Sequence, residues 1–130
     1  MKKLLLLVIL TIISAACAKA TPEITDNGNP GQIKITVFYD VNSNDIQDAG
    51  EPGQQARVLI GQDISCPPTD PARYLSIETD EKGEALVADL TAGKYCVAYA
   101  GDKPMSSKMT LDVYLSSDQE VQVSFRTLGE

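Results

Sequence analysis

The chain reads Ile33-Lys34-Ile35-Thr36-Val37-Phe38 shortly after its N-terminal segment, and this stretch decides the kind of fold. Aliphatic residues take every second position from Ile33 to Val37. Successive side chains of a β-strand point to opposite faces, so this alternation predicts a strand with one face in a core and the other in solvent. The same alternation recurs in residues 109–115 and 120–127. The folded region is therefore predicted to begin and end with β-strands.

Four further runs of β-forming residues lie between these strands, at positions 56–60, 74–79, 84–90 and 94–100. Breaks rich in Gly, Pro and Asp separate them, and residues 80–83, Asp-Glu-Lys-Gly, have the composition of a tight turn. No window outside the N-terminal segment predicts a helix. Because one flat sheet cannot cover both faces of seven strands, the sequence predicts an all-β, seven-stranded antiparallel sandwich.

The N-terminal segment has the three parts of a bacterial export signal. A short basic start, Met1-Lys2-Lys3, precedes an apolar run at 4–13 that is too short to span a bilayer. The next residues, Ser14-Ala15-Ala16-Cys17, resemble a lipobox, although Ser14 replaces the usual Leu. This resemblance implies a signal peptide at 1–17 and a lipid on Cys17 that anchors the protein to the membrane. The competing interpretation is ordinary cleavage after Ala18-Lys19-Ala20, which gives a soluble secreted protein.

Composition limits the chemistry of the exported part. Residues 18–31 are rich in Asn, Gly and Pro and predict a flexible tether, which leaves 32–130 as one domain with one core. The formal net charge of −7 excludes the concentrated basic surface that nucleic acid requires. The chain has no His, and so it lacks the commonest general base and zinc ligand. No catalytic constellation is visible, and we predict that the protein is not an enzyme.

Residues Asp40–Glu51 have the ligand spacing of a twelve-residue calcium loop. Position 6, normally Gly, is Asp45, one of the few residues that tolerate a left-handed backbone. Magnesium suits an all-protein cage of this kind less well than calcium does. The alternative interpretation is a metal-free polar loop in which Asn and Asp side chains satisfy their own backbone. The predicted Ca²⁺ ligands are the side chains of Asp40, Asn42, Asn44, Asp48 and Glu51, with the backbone carbonyl of Ile46 at position 7.

Two cysteines remain after Cys17 is assigned to the signal. An exported chain with two internal cysteines favours a disulfide between Cys66 and Cys96, which would attach a proline-rich loop to the fifth strand. Two separate buried thiols are the alternative. A metal or redox role is not indicated, because C-x-x-C spacing is absent.

The motifs together resemble the SdrD B-like modules of bacterial surface proteins. A strand runs into the calcium loop, and the segments Thr79-Asp80-Glu81-Lys82-Gly83 and Leu90-Thr91-Ala92-Gly93-Lys94-Tyr95-Cys96-Val97 look like two further motifs of that family. The resemblance covers about residues 32–127 and implies a prealbumin-like sandwich that binds calcium and acts as a stalk or spacer. The related Cna-B modules can carry a Lys–Asn cross-link. Lys34 is on the first strand, but the last strand has no Asn or Asp, so we do not predict that bond.

Two functions are consistent with these features. The first is a non-catalytic, calcium-stabilised structural or adhesive module, carried by a small lipoprotein at the cell surface or in the periplasm. The second is an accessory module that binds a glycan or a surface protein through a groove lined by tyrosines. An exposed aromatic cluster would favour the second function, and a polar outer surface would favour the first.

Overall fold

The computed structural model describes residues 21–62, 65–67 and 70–128, and Cys17 and the signal segment lie outside them. The described part is all-β, as predicted, with a single 3-10 turn at Pro71–Arg73. No helix within it is long and apolar enough to cross a membrane. Its strands are β1 (Gly31–Tyr39), β2 (Arg57–Gln62), β3 (Leu75–Glu78), β4 (Glu84–Leu90), β5 (Gly93–Tyr99), β6 (Thr110–Leu115) and β7 (Glu120–Thr127).

The strands form the two sheets of a sandwich. One sheet has the order β4-β1-β7 and the other the order β3-β2-β5-β6. All neighbours are antiparallel except β1 and β7, which run parallel in continuous register from Gln32 beside Glu120 to Tyr39 beside Thr127. The predicted sandwich is confirmed, and the parallel pair is a feature that strand periodicity does not reveal.

The core lies between the sheets and follows the alternation in the sequence. Ile33, Ile35 and Val37 on β1 are fully buried against residues of the opposite sheet such as Val58 and Val97. Phe38 departs from the prediction that it faces solvent. It is 1% exposed although it points away from this core.

A disulfide covers part of the outer face of the four-stranded sheet. Cys66 and Cys96 are bonded, with Cα atoms 5.4 Å apart and a sequence separation of 30. The predicted pairing is therefore confirmed. Cys96 lies between the core residues Tyr95 and Val97 and so faces outward, yet it is 1% exposed. The covalent bond places Cys66 beside β5 on this outer face.

The sandwich has two distinct poles. The chain enters β1 at Gly31, beside the β6–β7 turn, and we call this end the tether pole. It leaves β1 at Tyr39 and continues into the Asp40–Glu51 loop, at the end we call the loop pole. A nine-residue strand at about 3.3 Å per residue separates the two poles by roughly 30 Å.

The segment before β1 is less free than the predicted tether. The N–H of Ser117 donates to the carbonyl of Thr25 at 2.9 Å. The side-chain amides of Asn27 and Asn29 both donate to Asp118 Oδ2 at 3.0 Å. These hydrogen bonds attach residues 25–30 to the β6–β7 turn, so the tether that was predicted to reach residue 31 ends before Thr25. They also hold the pKa of the Asp118 carboxyl below its ordinary value, because both amides stabilise the ionised form.

Candidate metal centre

The Asp40–Glu51 loop is closed at its base by the sheet. The N–H of Tyr39 donates to the carbonyl of Pro52 at 3.0 Å, and Phe38 and Gly53 form an antiparallel bridge. The N–H of Gln54 then donates to the carbonyl of Val37 at 2.9 Å. Both ends of the loop are therefore held by β-type hydrogen bonds.

A buried polar network supports the return of the loop to the sheet. The Thr79 hydroxyl donates to the Gln54 carbonyl at 2.6 Å, and the Thr127 hydroxyl donates to Gln54 Oε1 at 2.8 Å. Both threonines are buried. Gly53 and Gly83 contact each other's backbone so closely that a Cβ on either would overlap a neighbouring main-chain atom. This contact ties the return segment to the turn between β3 and β4.

Glu51, the last predicted ligand, is buried and points back into the loop. Its Oε1 accepts hydrogen bonds from the N–H groups of Val41 at 2.9 Å and Asn42 at 3.4 Å. Its Oε2 accepts one from the N–H of Asp48 at 3.0 Å. One carboxylate therefore joins the beginning and the end of the loop.

Asp40, the first predicted ligand, is also buried, at 5% exposed. Its Oδ1 accepts from the N–H of Asn44 at 3.2 Å and its Oδ2 from the N–H of Asp45 at 3.0 Å. Neither Asp40 nor Glu51 forms an ion pair with a described Lys or Arg. Burying a carboxylate is unfavourable unless it is paired, hydrogen-bonded or bound to a metal, and backbone N–H groups meet this need for both Asp40 and Glu51.

The three middle side chains of the predicted set meet one another across the loop. The amide nitrogens of Asn42 and Asn44 donate to Asp48 Oδ2 at 2.8 and 2.6 Å. Their amide oxygens accept from the N–H groups of Asn44 and Ile46, each at 3.0 Å. The amide hydrogens thus partly neutralise Asp48, while each amide oxygen keeps a second lone pair.

The backbone carbonyl of Ile46, the sixth predicted ligand, accepts no hydrogen bond from the described residues. Within the described part of the chain, no three Asp, Glu, Cys or His side chains converge into a metal-binding group. The predicted set is brought into one loop, but its carboxylates point to backbone and amide N–H groups rather than to a common centre. The donors are all oxygens, which is the chemistry that a hard cation requires.

Sequence reasoning missed one partner of this loop. The carboxylate of Asp45, the residue in place of the usual Gly, forms an ion pair with the guanidinium of Arg126 on β7. The two residues are far apart in sequence, and no local pattern connects them. The structure also shows where the tyrosines of the predicted groove lie. Tyr95 and Tyr99 are buried in the core, and no tyrosine in the described residues is fully exposed.

Comparisons with known proteins find the fold but no sequence family. No family model matches the chain, and no curated protein matches it. Among solved structures, the major pilin subunit BcpA of Bacillus cereus matches with a TM-score of 0.54 at 16% identity, over 78% of this chain and 31% of that one. A streptococcal ancillary pilin matches with a TM-score of 0.55 at 13% identity, over 78% and 33%. The shaft pilin SpaA of Lactobacillus rhamnosus GG gives 0.53 at 13% identity, over 78% and 52%.

This chain therefore spans between about a third and about a half of the length of those pilins. At such low identity the likeness shows a shared sandwich fold and nothing of ligands or assembly. The fold class that the sequence predicts and the fold that the comparisons find agree.

Proposed function

We propose that this protein is a non-catalytic, extracytoplasmic structural module whose Asp40–Glu51 loop binds calcium. The observation that supports the proposal best is the pair of buried carboxylates, Asp40 and Glu51, at the first and last positions of the loop. A calcium ion would place positive charge beside them. Both carboxylates accept hydrogen bonds from backbone N–H groups of the loop, and a bound ion would have to draw them toward a common centre.

The donor set suits calcium better than smaller or softer ions. Calcium accepts six to eight oxygen ligands in flexible geometry, whereas magnesium requires a near-ideal octahedron and keeps several waters. Asp40, Asp48 and Glu51 would provide carboxylate oxygens, Asn42 and Asn44 amide oxygens, and Ile46 its carbonyl. Binding requires the side-chain amides of Asn42 and Asn44 to present their oxygens, rather than their N–H₂ groups, to the ion. This rotation of the amides also breaks their hydrogen bonds to Asp48 and frees its carboxylate.

The structural role rests on how the loop sits in the sandwich. Its ends are held by β1 and by the Gln54–Thr79–Thr127 network, so an ion bound there would stabilise the junction of both sheets. The Cys66–Cys96 disulfide supports an oxidising compartment, because such bonds rarely persist in the cytosol. The absence of an exposed tyrosine among the described residues favours a spacer or adhesive module over the accessory glycan-binding module.

We propose further that the mature chain is attached to a membrane by a lipid on Cys17. The short tether would then join the tether pole, and the loop pole would face away from the bilayer at a distance of roughly 30 Å or more. The expected result is that the wild-type protein incorporates a labelled fatty acid and partitions into detergent, while Cys17→Ser does neither. A mature N-terminus at Thr21 would contradict the lipid anchor and leave the calcium proposal untouched.

Calcium binding is tested by isothermal titration of the protein that begins at Thr21, after treatment with chelator. We expect one site per chain, with a dissociation constant in the range of about 10⁻⁴ to 10⁻³ M that is common for extracellular modules. The same titration with magnesium should give much weaker binding. Absence of calcium binding up to about 10 mM, ten times the weak limit of that range, would contradict the proposal.

A further inference from the structure

The loop departs from the usual calcium-binding pattern at one position, and the structure shows what this departure does. Asp45 takes the sixth place, where Gly normally allows a sharp turn, and its backbone is left-handed with φ 68°. Such a conformation is unfavourable for a residue with a Cβ. Asp tolerates this conformation better than most residues do, and here its side chain adds a stabilising contribution that Gly cannot make.

That contribution is the ion pair with Arg126. Arg126 follows the core residue Phe125 on β7, so it lies on the outer face of the three-stranded sheet. Its side chain is 21% exposed, which is low for a surface arginine. The middle of the loop thus contacts a strand that is remote in sequence and directly beside β1 in space.

The ion pair lies beside Phe38, which is buried on the outer face. Phe38 is the cross-strand neighbour of Arg126 in the parallel β1–β7 register. The loop leaves β1 just after Phe38, reaches Arg126 at its midpoint, and returns to Phe38 at Gly53. These three points keep the loop close to Phe38, whose side chain is 1% exposed.

We propose that Asp45 and Arg126 form a docking pair that fastens the loop to β7 before a metal binds, which makes Arg126 a positioning residue for the calcium ligands. The part that concerns calcium rests on the proposed function. The N–H of Asp45 donates to Oδ2 of Asp40, and the N–H of the preceding residue donates to Oδ1. Fixing Asp45 on β7 therefore also fixes the orientation of Asp40, the first ligand of the loop.

The docking contact and the positive charge of Arg126 have opposite effects on calcium binding, and the test must separate these two effects. The guanidinium of Arg126 repels a cation, so its removal alone would favour binding, whereas the removal of Asp45 alone would oppose it. The double variant Asp45→Asn/Arg126→Gln removes the pair and leaves the net charge around the loop unchanged. Asn also tolerates a left-handed backbone, so the turn is preserved. The matched control is Lys94→Gln/Asp112→Asn, which removes a surface ion pair of the other sheet in the same charge-neutral way.

The first measurement is millisecond amide hydrogen exchange of residues 40–51 in chelator. We expect exchange to be faster in the double variant than in the wild type, and unchanged in the control. The second measurement is calcium titration, where we expect binding about two- to five-fold weaker in the double variant, the range that one partly exposed ion pair contributes.

Equal exchange and equal calcium affinity in the wild type and the double variant would overturn the docking pair. If the exchange difference is present but no protein binds calcium, the docking pair stands and the calcium function fails. The two proposals are thereby tested separately.

Discussion

Calcium should stabilise the sandwich, and Glu51→Gln should remove most of that effect. Extracellular calcium sites commonly have dissociation constants near 10⁻⁴ M or weaker, so about 10 mM calcium is roughly 100 times a dissociation constant of 10⁻⁴ M. At that ratio, binding adds about 2.7 kcal/mol to the free energy of unfolding. A domain of roughly 100 residues changes its melting temperature by about 4–8 °C per kcal/mol. The expected increase is therefore about 10–20 °C between chelator and calcium.

Glu51→Gln is a sharper perturbation than Glu51→Ala. The Glu51 carboxylate accepts hydrogen bonds from the N–H groups of Val41, Asn42 and Asp48. Alanine would remove these acceptors together with the charge, and the metal-free fold would also lose stability. Glutamine keeps one acceptor oxygen and the shape of the side chain but cannot bind an ion through two carboxylate oxygens.

The assay is a set of thermal melts in calcium, in magnesium and in chelator, with far-ultraviolet circular dichroism as the signal. Glu78→Gln is the matched control because Glu78 is exposed on β3, outside the loop. We expect wild type and Glu78→Gln to show the full calcium shift and Glu51→Gln to show only a small part of it. Equal melting temperatures for wild type in calcium and chelator would refute the reasoning. An undiminished shift in Glu51→Gln would instead refute the ligand assignment.

Three further perturbations test other parts of the fold. Replacing Cys66 and Cys96 by Ala opens a loop of 30 residues, and the chain-entropy relation predicts a loss of about 3–4 kcal/mol in denaturant unfolding. Gly83→Ala places a Cβ against backbone atoms at a φ of 76°. It should cost at least about 2 kcal/mol in the same assay, and a neutral result would contradict the described contact. The pKa of Asp118 is lowered in the folded protein, so its stabilising hydrogen bonds are present above the unfolded pKa of about 3.9 and are lost as pH falls through the lower folded value. An NMR titration of its carboxyl should have a midpoint below that of an unfolded peptide.

Much of the fold could be predicted because it depends on residues that are close in sequence. The alternation of Ile33, Ile35 and Val37 locates β1 and identifies its core face, and the structure buries all three residues. The disulfide could be predicted because the sequence after the predicted signal offers two cysteines. The loop between Asp40 and Glu51 was recognisable because its candidate ligands recur at fixed spacings within twelve residues.

The missed features all depend on contacts between distant residues. The pattern placed Phe38 on the solvent face, which is correct for its direction, but it could not show that the loop covers this side chain. The composition of the segment before β1 predicted flexibility, but the side chains of Asn27 and Asn29 donate hydrogen bonds to Asp118, about ninety residues later. Local composition records the preferences of each residue, but not the partner that folding brings beside it.

The sequence alone determined the seven strands, the buried face of β1, the spacing of the candidate ligands and the available cysteines. These properties follow from local sequence patterns or from composition, and they need no knowledge of the fold. Only the tertiary structure decided that β1 and β7 lie parallel and that Arg126 therefore stands beside Phe38 and meets Asp45. The physical reason is that strand order, not strand periodicity, sets which side chains of the first and last strands become neighbours.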